Sequence, residues 1–486
     1  MKNNKAIKLI ICIFICALIL MGCSNRDSEY VLNQKDSIVI DIWHYYNGPL
    51  KVLFDEKIKE FNETVGYEKG IIVEAFSQGN INDLERKVME SINKKIGAEK
   101  PPNMFTAYGD TAYEIDKLGL LVDLDQYLTE DEKSEYIVSY IQEGYFDDTG
   151  GLKIFPIAKA TEIMMLNKTD WDKFASETGA DLEDLKTWEG VARTAKKYYE
   201  WTNSKYNDIN KGKSFFGRDA IANYIIVGAK QLGVEIFNVE NGICTLNLDE
   251  KVMYRLWENF YIPYINGYYN SVGKFRTDDI RTGEIIALVG STSGIGYFPE
   301  RVIINDEIEY DIESIVLPLP NFENTPAHAV QQGAGMAVLK SDKASEYASV
   351  EFLKWFTGKE TNIEFSIKTG YLPVKKESNK LDVILGYIHK DIDDRTMVQL
   401  KKFLPVVTEQ LKTYELHTNR PFKNGADARA VLTEHLIQRC KEDRNKVLDL
   451  IDNGYTREEV IAEFDNYDNF YNWFTDLKRE LEKAIN

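Results

Sequence analysis

The sequence predicts an α/β fold organised as parallel, doubly wound sheet spread over two to three domains. Three observations carry this expectation. The chain has 486 residues, too many for one compact core. Its 44% hydrophobic and 28% charged residues are an ordinary globular mixture. Above all, β-branched runs alternate with segments of helical spacing from Ser37 onward.

"SIVIDIW" (37–43) reads as the first strand, and Pro49 after Gly48 suits the first turn of a helix. That helix carries Leu53, Ile58, Phe61 and Val65 near helical spacing. "GIIVEAF" (70–76) is the next strand, and Ile81, Leu84, Val88, Ile92 and Ile96 then recur at three or four residues as an amphipathic helix. "NMFTAY" (103–108) is a third strand. Asp110 is the expected N-cap of a helix running to Leu118 and stopped by Gly119. In such sheets ligands sit beyond the carboxyl ends of the strands, which points to residues 44–48 and 108–110. The middle of the chain, about 160–310, is helix-rich, with aromatic segments such as "WENFYIPYINGYYN" (257–270). "TGEIIALVGSTSGIGYF" (282–298) reads as a strand breaking into a Gly/Ser loop, and "SIVLPLP" (314–320) suits a crossing between lobes. "AVQQGAGMAVL" (329–339) is strand-like, a helix follows over 345–356, and the last quarter is mostly helical.

Lys2, Lys5 and Lys8 precede an apolar core from Leu9 to Met21, too short for a mature membrane span and right for a secretory signal. Leu20-Met21-Gly22-Cys23 resembles a bacterial lipobox, with Cys23 as the lipidated residue; Met21 stands where a small residue is usual. Residues 24–36 then read as a polar, flexible tether. The net charge is −19, and −22 for a chain beginning at Cys23, because residues 1–22 carry three lysines and no acids. Such acidity opposes binding to nucleic acid or anionic lipid heads. Cys244 and Cys440 are isolated and read as buried free thiols rather than a disulfide, and the five scattered histidines form no metal motif. Gly290-Ser-Thr-Ser-Gly294 is centred on Thr292, so it fails as a nucleophile elbow. No phosphate-binding loop or dinucleotide fingerprint is present. This pattern favours binding over turnover, with no cofactor and no metal.

Trp43, Tyr45, Tyr46, Tyr108, Tyr297 and Tyr371 are aromatic residues at or near loop positions. They suit either the core or contacts with sugar faces and hydroxyls. Trp188, after the capping Thr187, reads as structural. The Gly/Ser stretches 291–294 and 333–335 are able to present backbone N–H groups to a phosphate or a sugar hydroxyl.

Read together, "IDIWHYYNG", "FPIAKATEIMMLNKTDWDKF", "KTWEGVARTAKKY", "IRTGEIIALVGSTSG", the stretch from Ala329 to Phe356 and "TGYLPVKKES" resemble family 1 extracellular solute-binding proteins, the lipoprotein receptors of ABC importers. The resemblance implies a two-lobed periplasmic-binding-protein-like (Venus flytrap) fold. Each lobe would be a mostly parallel sheet flanked by helices, closing on a ligand about a hinge. It divides the chain into a signal peptide (1–22), a tether (23–36), lobe 1 (37–156, with 318–341 returning to it) and lobe 2 (157–317 and 342–486). Within the family the motifs are similar to the glycerol-3-phosphate-binding branch. That likeness implies ligand contacts at Tyr371, at Arg429 in "GADARAVLTEHL", at Ser293 and at the backbone of Gly333. Arg429 is chemically apt, since a guanidinium fork meets a phosphate or carboxylate with two charge-assisted hydrogen bonds; an ordinary helix salt bridge to Glu434 is the alternative. The chain departs from the branch at Ala107-Tyr108, where the branch has Tyr-Glu, and at Lys159-Ala160-Thr161, where it has a serine pair. Lys159 would add an anion contact.

The implied site therefore takes Ser291, Ser293, Tyr297, Tyr371 and Arg429 from the second lobe. Tyr45, Tyr46, Tyr108, Asp110 and Gly333 come from the first, with Lys159 between. The implied function is capture of a sugar, oligosaccharide or glycerophosphate-type ligand and its delivery to an ABC permease, by a monomer lipid-anchored on the outer face of a bacterial membrane. Two alternatives stay open: a secreted carbohydrate-active hydrolase, and a ligand-sensing lipoprotein feeding a membrane kinase.

Overall fold

The structure is a computed structural model that describes residues 36–146, 149–205, 210–387 and 394–486. The expected signal peptide, Cys23 and nearly all of the tether lie outside the described residues.

The first sheet has the strand order Gly335–Val338, Met104–Ala107, Ile38–His44, Ile71–Ser77. Ile38–His44 pairs in parallel with both neighbours, and Gly335–Val338 joins the edge antiparallel. Alternation along the first strand sends Ile40 and Ile42 to one face and Trp43 to the other. Helix Gly48–Glu63 covers the Ile face, with Pro49 in its first turn and Leu53, Phe54, Ile58 and Phe61 buried. Helices Ile81–Ile92 and Gly109–Lys117 cover the Trp43 face through Leu84, Val88, Ala112 and Ile115. Asn80 and Asp83 form a capping box that starts the first of these. It ends at Ile92, short of the expected Ile96, because Lys94 turns left-handed (φ 52°) and leaves Ile96 fully exposed. Asp110 lies inside the first turn of helix Gly109–Lys117, and Tyr108 holds the N-cap position in place of the expected Asp110.

The second sheet has the order Ser314–Leu317, Glu162–Asn167, Ala287–Ser291, Phe216–Arg218. Two of its three pairings are antiparallel, so this sheet is mixed and departs from the mostly parallel expectation. The reason is topological. The central strand Glu162–Asn167 enters from the first lobe, and its partner at 287–291 follows more than a hundred residues of helix and hairpin. No short crossover therefore imposes a parallel pairing. Met164, Leu166 and Val289 face a helical core that includes Trp188, Trp257, Cys440 and Trp473, while Ile163, Met165 and Leu288 face a second core with Phe403 and Leu404. Trp188 is buried and structural, and Cys244 and Cys440 are free thiols.

Two expected boundaries are corrected. Residues 318–330 do not return to the first lobe: Leu319, Phe322, Ala329 and Val330 are buried in the second lobe's helical core, and the return begins with the strand Gly335–Val338. Residues 342–486 do not all belong to the second lobe. Helix Lys343–Phe356 packs on the first sheet through Val350, Phe352, Leu353 and Phe356. Helix Lys359–Thr369 straddles both lobes, giving Phe365 to the first core and Ile363 and Ile367 to the second. A helix buried on two faces has no single apolar stripe, so its periodicity does not announce its location. From Leu381 onward the chain packs mainly with the second lobe, though Leu416 also touches the first core and Gly425 abuts Asp110, and it ends in helices Gly425–Asp452, Arg457–Phe464 and Tyr467–Ala484.

Candidate functional site: a cleft at the hinge

Three segments cross between the lobes. Ala160 exchanges backbone hydrogen bonds with Gln332 (2.7 and 2.9 Å), and Lys159 does so with Leu372 (3.1 and 2.6 Å). Gly333 sits at φ +98°, where an added Cβ would stand 2.8 Å from the Ala158 carbonyl oxygen, so the crossing requires glycine there. The Gly333 carbonyl accepts from Lys159 Nζ at 2.9 Å, and Lys159 also donates to Glu143 at 2.8 Å. With only 1% of its surface exposed, Lys159 braces the hinge. Its ammonium is held inside the protein and does not reach the cleft, and Gly333 is likewise buried. The expected anion contact at Lys159 is thus replaced by an internal one, because a buried ammonium demands its own counter-charge.

Two corners of the cleft collect the other candidate residues. At the first, Tyr108 and Asp110 from the first lobe face Asn223 and Arg429 from the second across a pocket of about 260 Å³, floored by Gln331 and Gln332. Arg429 donates to Asn223 Oδ1 at 2.8 Å; Asn223 Nδ2 donates to Glu162 at 2.9 Å and to Gln332 at 3.2 Å. Glu162 is in turn ion-paired with Arg218, and both side chains are buried. Burial pushes the Glu162 carboxyl up, and the Arg218 charge works against that shift. Burial also raises Asp110 to about 6, against the opposing pull of Arg429 and a hydrogen bond from the Phe422 backbone N–H. The Tyr108 hydroxyl is raised for the same reason, although 36% of the residue remains exposed to the groove.

At the second corner, the Tyr45 and Tyr371 hydroxyls meet at 3.4 Å, and Tyr371 also hydrogen-bonds Ser293. Ser291 and Ser293 share a hydroxyl contact of 2.9 Å at the start of the turn Thr292–Tyr297. Tyr297 is half exposed, and it lines a separate pocket of about 320 Å³ with Ser293, Pro49, Leu50 and Gly370. Tyr371 belongs to the first lobe's core, stacked on Phe365 with ring centroids 6.3 Å apart, and not to the second lobe. Tyr46 is interior, packed among His44, Phe54 and Phe365, so it supports the cleft from behind.

The structure thus gathers Tyr45, Tyr371, Ser291 and Ser293 at one corner, with Tyr297 in the adjoining pocket, and Tyr108, Asp110 and Arg429 at the other. It adds Asn223, Glu143, Glu162, Arg218 and Gln332, which sequence reasoning missed. A signal for three of them was present. Asn223 interrupts the apolar run "IANYIIVGA" (221–229), and Glu162 and Arg218 are lone charges in buried strands that need partners. No group of three or more His, Cys, Asp or Glu residues among those described is placed to hold a metal ion.

A family profile described as bacterial extracellular solute-binding protein matches residues 56–390. No protein of curated function matches the chain in sequence. Among solved structures, UgpB from Mycobacterium tuberculosis in complex with glycerophosphocholine is similar at 18% identity and a TM-score of 0.63, covering 92% of this chain and 98% of that one. The cyclic alpha-maltosyl-1,6-maltose binding protein of Arthrobacter globiformis is similar at 15% identity and a TM-score of 0.62, covering 92% and 99%. Lmo0181 from Listeria monocytogenes, an ABC substrate-binding protein in complex with cycloalternan, is similar at 16% identity and a TM-score of 0.61, covering 92% and 100%. At these identities the likeness establishes the two-lobed fold. With a profile spanning more than half its length, the chain belongs to the bacterial extracellular solute-binding protein family.

Proposed function

We propose that the protein is the lipid-anchored receptor of an ABC importer, capturing a sugar, oligosaccharide or glycerophosphate-type ligand between its lobes and handing it to a permease. One observation carries this reading: polar groups from both lobes, Tyr108 and Asp110 on one side and Asn223 and Arg429 on the other, line a single pocket beside the hinge. A ligand touching both sides stabilises the closed form through contacts that the open form lacks. Two solved structures with the same fold support the ligand class, since one is in complex with glycerophosphocholine and the other with cycloalternan. Attachment through Cys23 would keep the receptor near its permease at high effective concentration.

Native mass spectrometry of protein purified from its host, followed by calorimetry with the ligand it carries, tests the reading. A receptor returns that ligand intact; release of a cleaved product would point to a hydrolase instead. Arg429→Ala is expected to weaken binding by roughly 1.5–3 kcal/mol, the usual worth of a hydrogen bond to a charged group. Unchanged affinity would remove Arg429 from the site.

A further inference from the structure

Asp110 belongs to the first lobe, yet its carboxylate ends against the second. It accepts the backbone N–H of Phe422, just ahead of helix Gly425–Asp452, and faces Arg429, which lies in the early turns of that helix. The approach is close. A Cβ at Gly425 would stand 2.6 Å from the Asp110 carboxyl carbon, so only glycine leaves room for it. The start of a long helix with an arginine one turn inside is a place where an external anion is stabilised. Here a carboxylate of the protein already stands beside it.

The wider charge balance follows the same rule. Lys159 is ion-paired with Glu143 and Arg218 with Glu162, while Arg429, held by the neutral Asn223, shares its pocket with the Asp110 carboxylate. A phosphate or carboxylate entering the pocket meets Arg429 only beside the Asp110 carboxylate, which repels it at short range. A neutral hydroxyl instead finds an acceptor in Asp110 and a donor in Arg429. On this basis we infer that Asp110 is the built-in counter-ion of Arg429, a specificity residue that makes the cleft select neutral polyhydroxyl ligands and reject phosphorylated or carboxylated ones. The inference rests on the receptor reading and narrows its ligand class. The groups facing Asp110 are Arg429 and the Phe422 N–H across the cleft, Glu114 on its own helix, Glu85 on the adjacent helix and Cys244 on the Phe237–Leu246 hairpin. With Asp110 near 6, the barrier is present at neutral pH and fades in acid.

Sulfate, whose charge is constant over pH 5–8, and sn-glycerol 3-phosphate at pH 7.5 are the probes, read by calorimetry and thermal shift on the mature chain. Asp110→Asn is near-isosteric and is expected to bind both anions at least tenfold more tightly than the unmodified protein at pH 7.5. Adding Arg429→Ala should abolish that gain. The unmodified protein should gain sulfate affinity between pH 8 and pH 5, and Asp110→Asn should show a much flatter profile. Equal anion affinity in the two proteins at pH 7.5, including no binding by either, overturns the inference. So does a gain that survives Arg429→Ala, or tight glycerol 3-phosphate binding by the unmodified protein. These readouts need no natural ligand, so failure of the receptor reading, in which no host-derived solute is carried or bound, is seen separately.

Discussion

The two corners of the cleft are built on opposite principles. At the Arg429 corner a chain of polar side chains holds the arginine in place: Arg429 by Asn223, Asn223 by Glu162 and Gln332, and Glu162 by Arg218. At the Tyr371 corner neutral hydroxyls from three separate segments meet, with Tyr45 and Tyr371 at 3.4 Å. The difference follows from desolvation. A charge taken out of water needs a fixed partner, whereas a hydroxyl rotates and changes partner at small cost. The charged corner is therefore fixed by paired partners, and the hydroxyl corner is held by neutral contacts alone.

The most severe way to break this contrast is Glu162→Ala. It strands Arg218, whose side chain is 1% exposed, and is expected to lower stability by about 3–5 kcal/mol in denaturant titration. A loss below about 1 kcal/mol would show that the pair does not hold the charged corner.

A middle-sized effect should appear in the pH dependence of stability. The folded-state value of Asp110, about 6, lies above its ordinary 3.8. Between these values the folded chain binds the proton more tightly than the unfolded chain does. The contribution of Asp110 is thus most favourable in acid and is lost as pH rises through about 4 to 6. Melting temperatures of the unmodified protein relative to Asp110→Asn should fall across that window and level off above it. A flat difference would mean that the carboxyl is not desolvated.

The smallest effect is expected from Tyr371→Phe, which removes only the hydroxyl. The ring keeps its stacking on Phe365, so stability should change by roughly 0.5–1.5 kcal/mol in the same titration. A larger loss would mean that the hydroxyl corner is as rigid as the charged one.

Much of the first lobe was legible in the sequence. Alternation in 37–43, Pro49, the spacing of Leu84 and Val88, and Gly119 all report local geometry, and the structure uses them in that way. The site was legible only as a set of residue types. Arg429, Tyr108 and Tyr371 do reach the cleft, but Tyr46 turned inward because the same segment also feeds an aromatic core. Lys159 was misread because nothing near it in the sequence reveals Glu143 or the Gly333 carbonyl as its partners.

By itself, then, the sequence determined what depends on neighbours along the chain: strand and helix periods, the turns at glycine and proline, the acidic balance and the family. Tertiary structure alone decided which lobe receives helix 343–356, how the second sheet pairs, and which carboxylate matches which cation. These are choices among partners far apart in sequence, settled by burial and by the cost of leaving a charge unpaired. Asp110 shows the division most clearly: the sequence marks an acid at the start of a helix, and only the fold brings it opposite Arg429.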